Sequence, residues 1–204
     1  MSDHLSFLTD MLSGMGEDLQ MLMIPDHVLR WNKIKPLDLS TNLTPEEALR
    51  QLPGIIASSL SQLEQIKNGL DETYQHATIA CKNANEAYNQ PAGFFSNTGT
   101  IESLQNASKS EAQAIIDLCL TQKLLFIQQQ ILATFSQLLF ICSSRDYKSA
   151  SIAIKELKAK IQGESGQKIT DIAKQELARM LQQLTQRVDV LERLERIEKH
   201  IGIA

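Results

Sequence analysis

The chain of 204 residues is 43% apolar but only 5% aromatic, with nine glycines and five prolines. It can fill one core, yet it has too few turn-formers for a sheet sandwich, and charged residues at 22% exclude wholesale disorder. A net charge of −4 and a pI near 5.6 exclude a general nucleic-acid binder, whose phosphate contacts need a concentrated basic face.

Residues 1–24 read as a short amphipathic arm, with Leu5, Leu8, Met11, Leu12, Met15, Leu19 and Leu22 on its apolar side and Gly14 and Gly16 dividing it. Five of the six methionines lie here. Methionine is unbranched and adaptable, so the arm either closes one end of a bundle or receives a partner. Leu8, Met11, Leu12, Met15, Leu19 and Leu22 are the candidate partner-binding residues. A connector follows over 25–40, with one short helix carrying Trp31, expected to anchor the segment on the remainder of the chain.

Thr44-Pro45-Glu46-Glu47 is a strong helix start: a capping threonine, proline in the first turn and glutamate completing a capping box. Pro53-Gly54 is expected to end or kink this helix. A heptad stripe then runs Ile56, Leu60, Leu63, Leu70, Tyr74, Ala77, Cys81, Ala84, Tyr88, broken only at Lys67 beside Ile66. Apolar residues every 3.5 positions make a narrow seam that only other helices can cover. Its second half uses small residues, so a neighbouring backbone is expected to approach closely there.

The loop Gln90-Pro91-Ala92-Gly93-Phe94-Phe95 joins two long helices. Phe94 and Phe95 are the candidate tip contact, plugging the core or entering a partner. The next helix, 99–142, is most apolar from Ile115 onward, and no charge falls between Lys123 and Arg145. That stretch is long enough to span a bilayer, but Gln128, Gln129, Gln130, Thr134, Ser136 and Gln137 interrupt it. A central bundle helix touched on several sides explains it better, with Gln122 and Gln129 as the candidate inward amides.

Ser143 to Asp146 offers a break before the stripe Tyr147, Ala150, Ile154, Leu157, Ile161, read as a fourth helix over 146–162 or a continuation of the third. Gly163 to Gly166 is a turn. The last helix, 167–201, places Ile169, Ile172, Leu177, Leu181, Leu184, Val188 and Leu191 inward, and then steps to Leu194, Ile197 and Ile201. Leu184, Val188, Leu191, Leu194 and Ile197 form the candidate oligomer seam, flanked by alternating charges. Residues 1–144 hold 8 Lys/Arg against 15 Asp/Glu and 145–204 hold 12 against 9, an imbalance expected from two portions lying against each other.

No catalytic, metal or cofactor motif interrupts these stripes. Glu72 and His76 are one residue too far apart for the Glu-x-x-His pair of a di-iron bundle and read as a surface i,i+4 contact. Cys81, Cys119 and Cys142 lack metal spacing and sit in apolar helical patterns, which suits a reducing compartment. The fold expected is therefore all-α: an elongated antiparallel three- to four-helix bundle with coiled-coil-like packing and short N-terminal capping helices. Residues 1–43 form the arm and connector, and 44–204 the bundle domain.

The expected function is non-enzymatic: scaffold, adaptor, chaperone or secretion-system component, binding another protein through helix–helix contacts. Cofactors are not expected. A homodimer is the other interaction reading, and residence is cytoplasmic, or exported without a cleaved signal peptide. The alternative is a membrane-active protein. Two long helices meeting at a Phe94-Phe95 tip beside an uncharged stretch resemble in outline the α-helical pore-forming toxins, a likeness of shape rather than of a site.

Overall fold

The computed structural model describes residues 25–35, 43–89 and 97–202. Of these, 92% are helical, and no strand occurs among them. The chain is all-α. The helices are α1 (Asp26–Trp31), α2 (Pro45–Asn89), α3 (Asn97–Arg145), α4 (Tyr147–Gln162), α5 (Glu164–Gln167) and α6 (Asp171–Ile201). The described residues fall into two compact units, one of residues 25–34, 69–89 and 97–122, the other of residues 35, 43–68 and 123–202. Helices α2 and α3 each contribute a stretch to both.

The start of α2 forms as its sequence dictates. The Thr44 backbone N–H and hydroxyl each donate to Glu47 Oε2 at 2.9 Å, and the Glu47 amide donates back to Thr44 Oγ1 at 3.3 Å. The expected end at Pro53-Gly54 does not occur, and α2 continues through both residues to Asn89. Pro53 and Gly54 face solvent, while Ala48, Leu52, Ile55 and Ile56 are buried on either side of them. An interior proline costs ~3 kcal/mol. Several aliphatic side chains at ~1.5–3 kcal/mol each outweigh that cost and keep the turns in one helix.

In the second unit Ile56, Leu63 and Ile66 of α2 are fully buried, as are Leu124 and Leu139 of α3. Helix α3 ends at Arg145, and Asp146 starts a separate α4. The Asp146 carboxylate accepts the backbone N–H of Lys148 and of Ser149 at 3.1 and 3.2 Å, and the Ser149 hydroxyl at 2.6 Å. This cap decides the question left open by the sequence: 146–162 is not a continuation. Helix α4 buries Ala150, Ala153, Ile154, Leu157 and Ile161, and it runs antiparallel to α6, with Lys148 paired to Glu195 and Lys158 donating to Thr185 Oγ1.

The turn expected at 163–166 contains the one-turn helix α5. Gly166 is required there, because a Cβ would lie 1.6 Å from the Ile161 carbonyl oxygen. Thr170, whose hydroxyl accepts the Ala173 amide, then caps α6, so this helix begins later than residue 167. At its far end Gly202 takes the left-handed conformation, φ 75°. Ile169, Leu177, Leu181, Leu184 and Val188 are buried as expected, joined by Ala173 and Met180. Ile172 is instead 67% exposed.

Within the first unit the stripe of α2 departs from its expected place at Tyr74, Cys81 and Tyr88 and keeps it at Ala84. Thr73, Ala80 and Ala84 are buried, Tyr74 is 73% exposed, and Tyr88 and Cys81 are also outside. Thr73 can enter the interior because its hydroxyl donates to the Gly69 carbonyl at 2.6 Å. Small residues do bring backbones close here: Ser103 Oγ of α3 donates to the Ala87 carbonyl. The Tyr88 hydroxyl donates to Glu111, which pushes the phenol above its ordinary pKa.

Candidate functional site

The second unit carries a broad concavity between α3 and α6. Apolar side chains of both helices line it. Leu125, Leu132 and Ala133 come from α3; Ile172 and Met180 come from α6, and the groove encloses about 750 Å³. Leu132 and Met180 form its buried floor, and Ile172 stands on the rim.

The rim is amide-rich, with Gln129, Gln175 and Gln183, and it carries one ion pair. Arg179 and Glu176 of α6 bond through two contacts, one of them from Nε to Oε2 at 3.1 Å. The bond to Arg179 holds the Glu176 carboxyl below its ordinary pKa and raises that of Arg179. Both are exposed, so the pair contributes little to stability and more to the polarity of the groove edge.

One end of the groove is fixed by a buried amide. Gln128 is fully buried and its Oε1 accepts the Thr170 hydroxyl at 2.8 Å, tying α3 to the cap of α6. The expected inward amides, Gln122 and Gln129, both face out. The inward position lies between them because α3 turns the row Leu124, Gln128, Ile131, Phe135 toward the core. Farther along α3, half-exposed Phe140 lies under the Arg187 guanidinium, 3.9 Å from the ring centroid, and Arg187 also donates to Ser144 Oγ.

The first unit contains a polar cluster that no spacing in the sequence announces. His27 of α1 is buried, with Nε2 2.7 Å from Oδ1 of fully buried Asp117, and its ring stacks on His76 with centroids 3.9 Å apart. The second carboxylate oxygen of Asp117 is buried with no hydrogen-bond partner. Beside it, Trp31 Nε1 donates to Glu72 Oε2 at 2.6 Å and Arg30 pairs with the same carboxylate at 3.1 Å. Glu72 therefore serves α1, and the expected surface contact with His76 is replaced. Trp31 does anchor its segment. Among the described residues, no three His, Cys, Asp or Glu side chains are placed to hold a metal ion.

Of the residues singled out from sequence, Leu8, Met11, Leu12, Met15, Leu19 and Leu22 lie outside the described residues, as do Phe94 and Phe95. The seam is divided. Leu184 and Val188 are buried within the chain and Leu191 is half-buried, whereas Leu194 and Ile197 are exposed. Cys142 is buried, Cys119 is half-buried and Cys81 is exposed. The uncharged stretch lies in the segment Glu102–Arg145, which is long and apolar enough to cross a membrane, at mean hydropathy 1.5 with 44% of that window buried. The groove residues Leu125, Leu132, Ile172 and Met180 escaped sequence reasoning, because each fits a core pattern equally well. No family model, curated protein or solved structure matches the chain.

Proposed function

We propose that this chain acts without catalysis, through protein–protein interaction, receiving an amphipathic helix of another protein in the α3–α6 groove. The finer architecture belongs to the same proposal: an antiparallel three- to four-helix bundle with coiled-coil-like packing and cytoplasmic residence, serving as scaffold, adaptor, chaperone or secretion-system component. The observation that carries it is an apolar floor of Leu132 and Met180, with half-buried Leu125 beside it and exposed Ile172 on the rim. A groove of this form suits the helix-in-groove mode, in which apolar side chains at i, i+3, i+4 and i+7 seat on the floor and polar ones meet the rim. The amides of Gln129, Gln175 and Gln183 would meet those polar side chains.

The test is Ile172→Asp. The side chain is already mostly in water, so the fold should survive, and affinity for a captured helix should fall at least tenfold if Ile172 is a central contact. Affinity capture from the native cell, with wild type and variant side by side, reads the outcome. A partner retained equally by both would remove the groove from the proposal. Truncation of residues 1–24 in the same experiment separates the Met-rich arm from the groove as the binding element.

One observation favours a second reading, membrane activity: less than half of the apolar window in α3 is buried, and Phe126 and Ile141 on that helix are exposed. Leakage of dye-loaded liposomes distinguishes the two. The interaction reading expects none at any pH or lipid charge, and leakage suppressed by Phe94→Asp with Phe95→Asp would favour insertion.

A further inference from the structure

The C-terminal part of α6 carries an apolar row that its own chain does not cover. Val190, Leu194, Ile197 and Ile201 are exposed by 55, 48, 52 and 62%. Their spacing of four, three and four residues is that of alternating d and a positions of a coiled coil. The core-facing row of the same helix, Leu177, Leu181, Leu184 and Val188, lies on a different face and is buried. The antiparallel register set by Lys158 with Thr185 and Lys148 with Glu195 brings Tyr147, the first residue of α4, opposite Arg196. Ile197 and Ile201 therefore extend past the start of α4.

The charges beside this row choose the occupant. With Leu194 and Ile201 at a, Arg193 falls at g and Glu198 at e. The ion pairs Glu192–Arg196 and Glu195–Lys199 lie instead on the b, c and f positions, away from the seam. In a parallel coil, each g residue faces the e residue five positions later on the neighbouring helix. Arg193 then meets Glu198 of a second copy, and symmetry repeats the pair. In an antiparallel coil g faces g and e faces e, so Arg193 would meet His200 and Glu198 would meet Leu191, and both pairs vanish.

We infer that Val190, Leu194, Ile197 and Ile201 form a self-association seam, joining α6 in parallel to α6 of a second copy of this chain, with Arg193 and Glu198 selecting that direction. The seam is independent of the α3–α6 groove, whose α6 residues end at Gln183. It is shorter than a standard interface, so association is weak and depends on concentration. Val190 and Ile197, β-branched at d, suit more than two strands, and the copy number is read by the same mass measurement.

Sedimentation equilibrium of the full chain over a concentration series tests this. The weight-average mass should rise with concentration, and Ile197→Glu should remain monomeric with unchanged helicity by circular dichroism. Glu198→Arg alone should weaken association roughly tenfold, since symmetric attractions become repulsions, and adding Arg193→Glu should restore it. Val190→Cys in a Cys81→Ser background should give a disulfide-linked species that Cys81→Ser alone does not. A monomer at every concentration would overturn the proposal. So would association indifferent to Ile197→Glu, a charge swap that fails to restore it, or absence of the Val190→Cys cross-link.

Discussion

Asp117 is the side chain with the largest consequence for its size. A carboxylate with 0% exposure is tolerated because His27 meets one of its oxygens, and His27 is delivered by a six-residue helix, α1. Removing one partner of such a pair strands the other in the interior, at a cost of about 3–5 kcal/mol, whereas replacing both with apolar groups is often neutral. His27→Leu should therefore destabilise the first unit by that amount, and His27→Leu with Asp117→Leu should recover most of it. Urea unfolding followed by helical circular dichroism gives both values. Equal losses for the single and double variants would mean that the pair carries no coupling.

At the scale of the element, the break between α3 and α4 rests on one residue. Hydrogen bonds from the Ser149 hydroxyl and amide, then from Lys148, hold the Asp146 carboxyl below its ordinary pKa. Its folded-state value is thus lower than its unfolded one. The stabilisation is fully present above the unfolded pKa and is lost as pH falls through the folded one. Asp146→Ala should cost ~1 kcal/mol at neutral pH, typical of an exposed N-cap, and that difference should shrink as the carboxyl protonates. Chemical denaturation at a series of acidic pH values measures it.

Elements of this kind were also the most legible in the sequence. The capping box at Thr44, the stripe of α4 and the inward row of α6 follow from spacing and cap chemistry, because those signals are local. The stripe of the second half of α2 did so only in part, at Ala84 and not at Tyr74, Cys81 or Tyr88. Tyr74 and Tyr88 look more apolar than Thr73, and the bond from Thr73 to Gly69 within the helix is what permits the threonine to be buried. Pro53 misled for the opposite reason: its cost is local, but the burial that offsets it comes from neighbouring helices. The candidate groove was invisible on the same grounds. Leu132 and Ile172 both read as core, and which of them stays in water depends on how α3 and α6 meet.

Across the whole molecule, the two units differ in what fills them. Ile56, Leu63, Ile66, Leu124, Leu139, Leu157, Leu177 and Leu181 all lie in the second. Among the described residues of the first, the buried set is mainly Val28, Thr73, Ala80, Ala84, Ala107, Asp117 and Leu120. Apolar burial stabilises by ~25 cal/mol per Å², so an interior of alanines gains far less per residue than one of leucines. Hydrogen exchange read by mass spectrometry should show amides of α2 at 73–84 and α3 at 107–117 opening before those at 56–66 and 124–139. Uniform protection along both helices would mean that they open as single bodies.

That difference in filling gives α1 an importance out of proportion to its length. The described interior of this unit is lined largely by small side chains, so the contacts of one short segment matter to it: buried His27 on Asp117, and half-buried Trp31 with exposed Arg30 on Glu72. Unfastening them would loosen this unit while the leucine-filled one kept its helices.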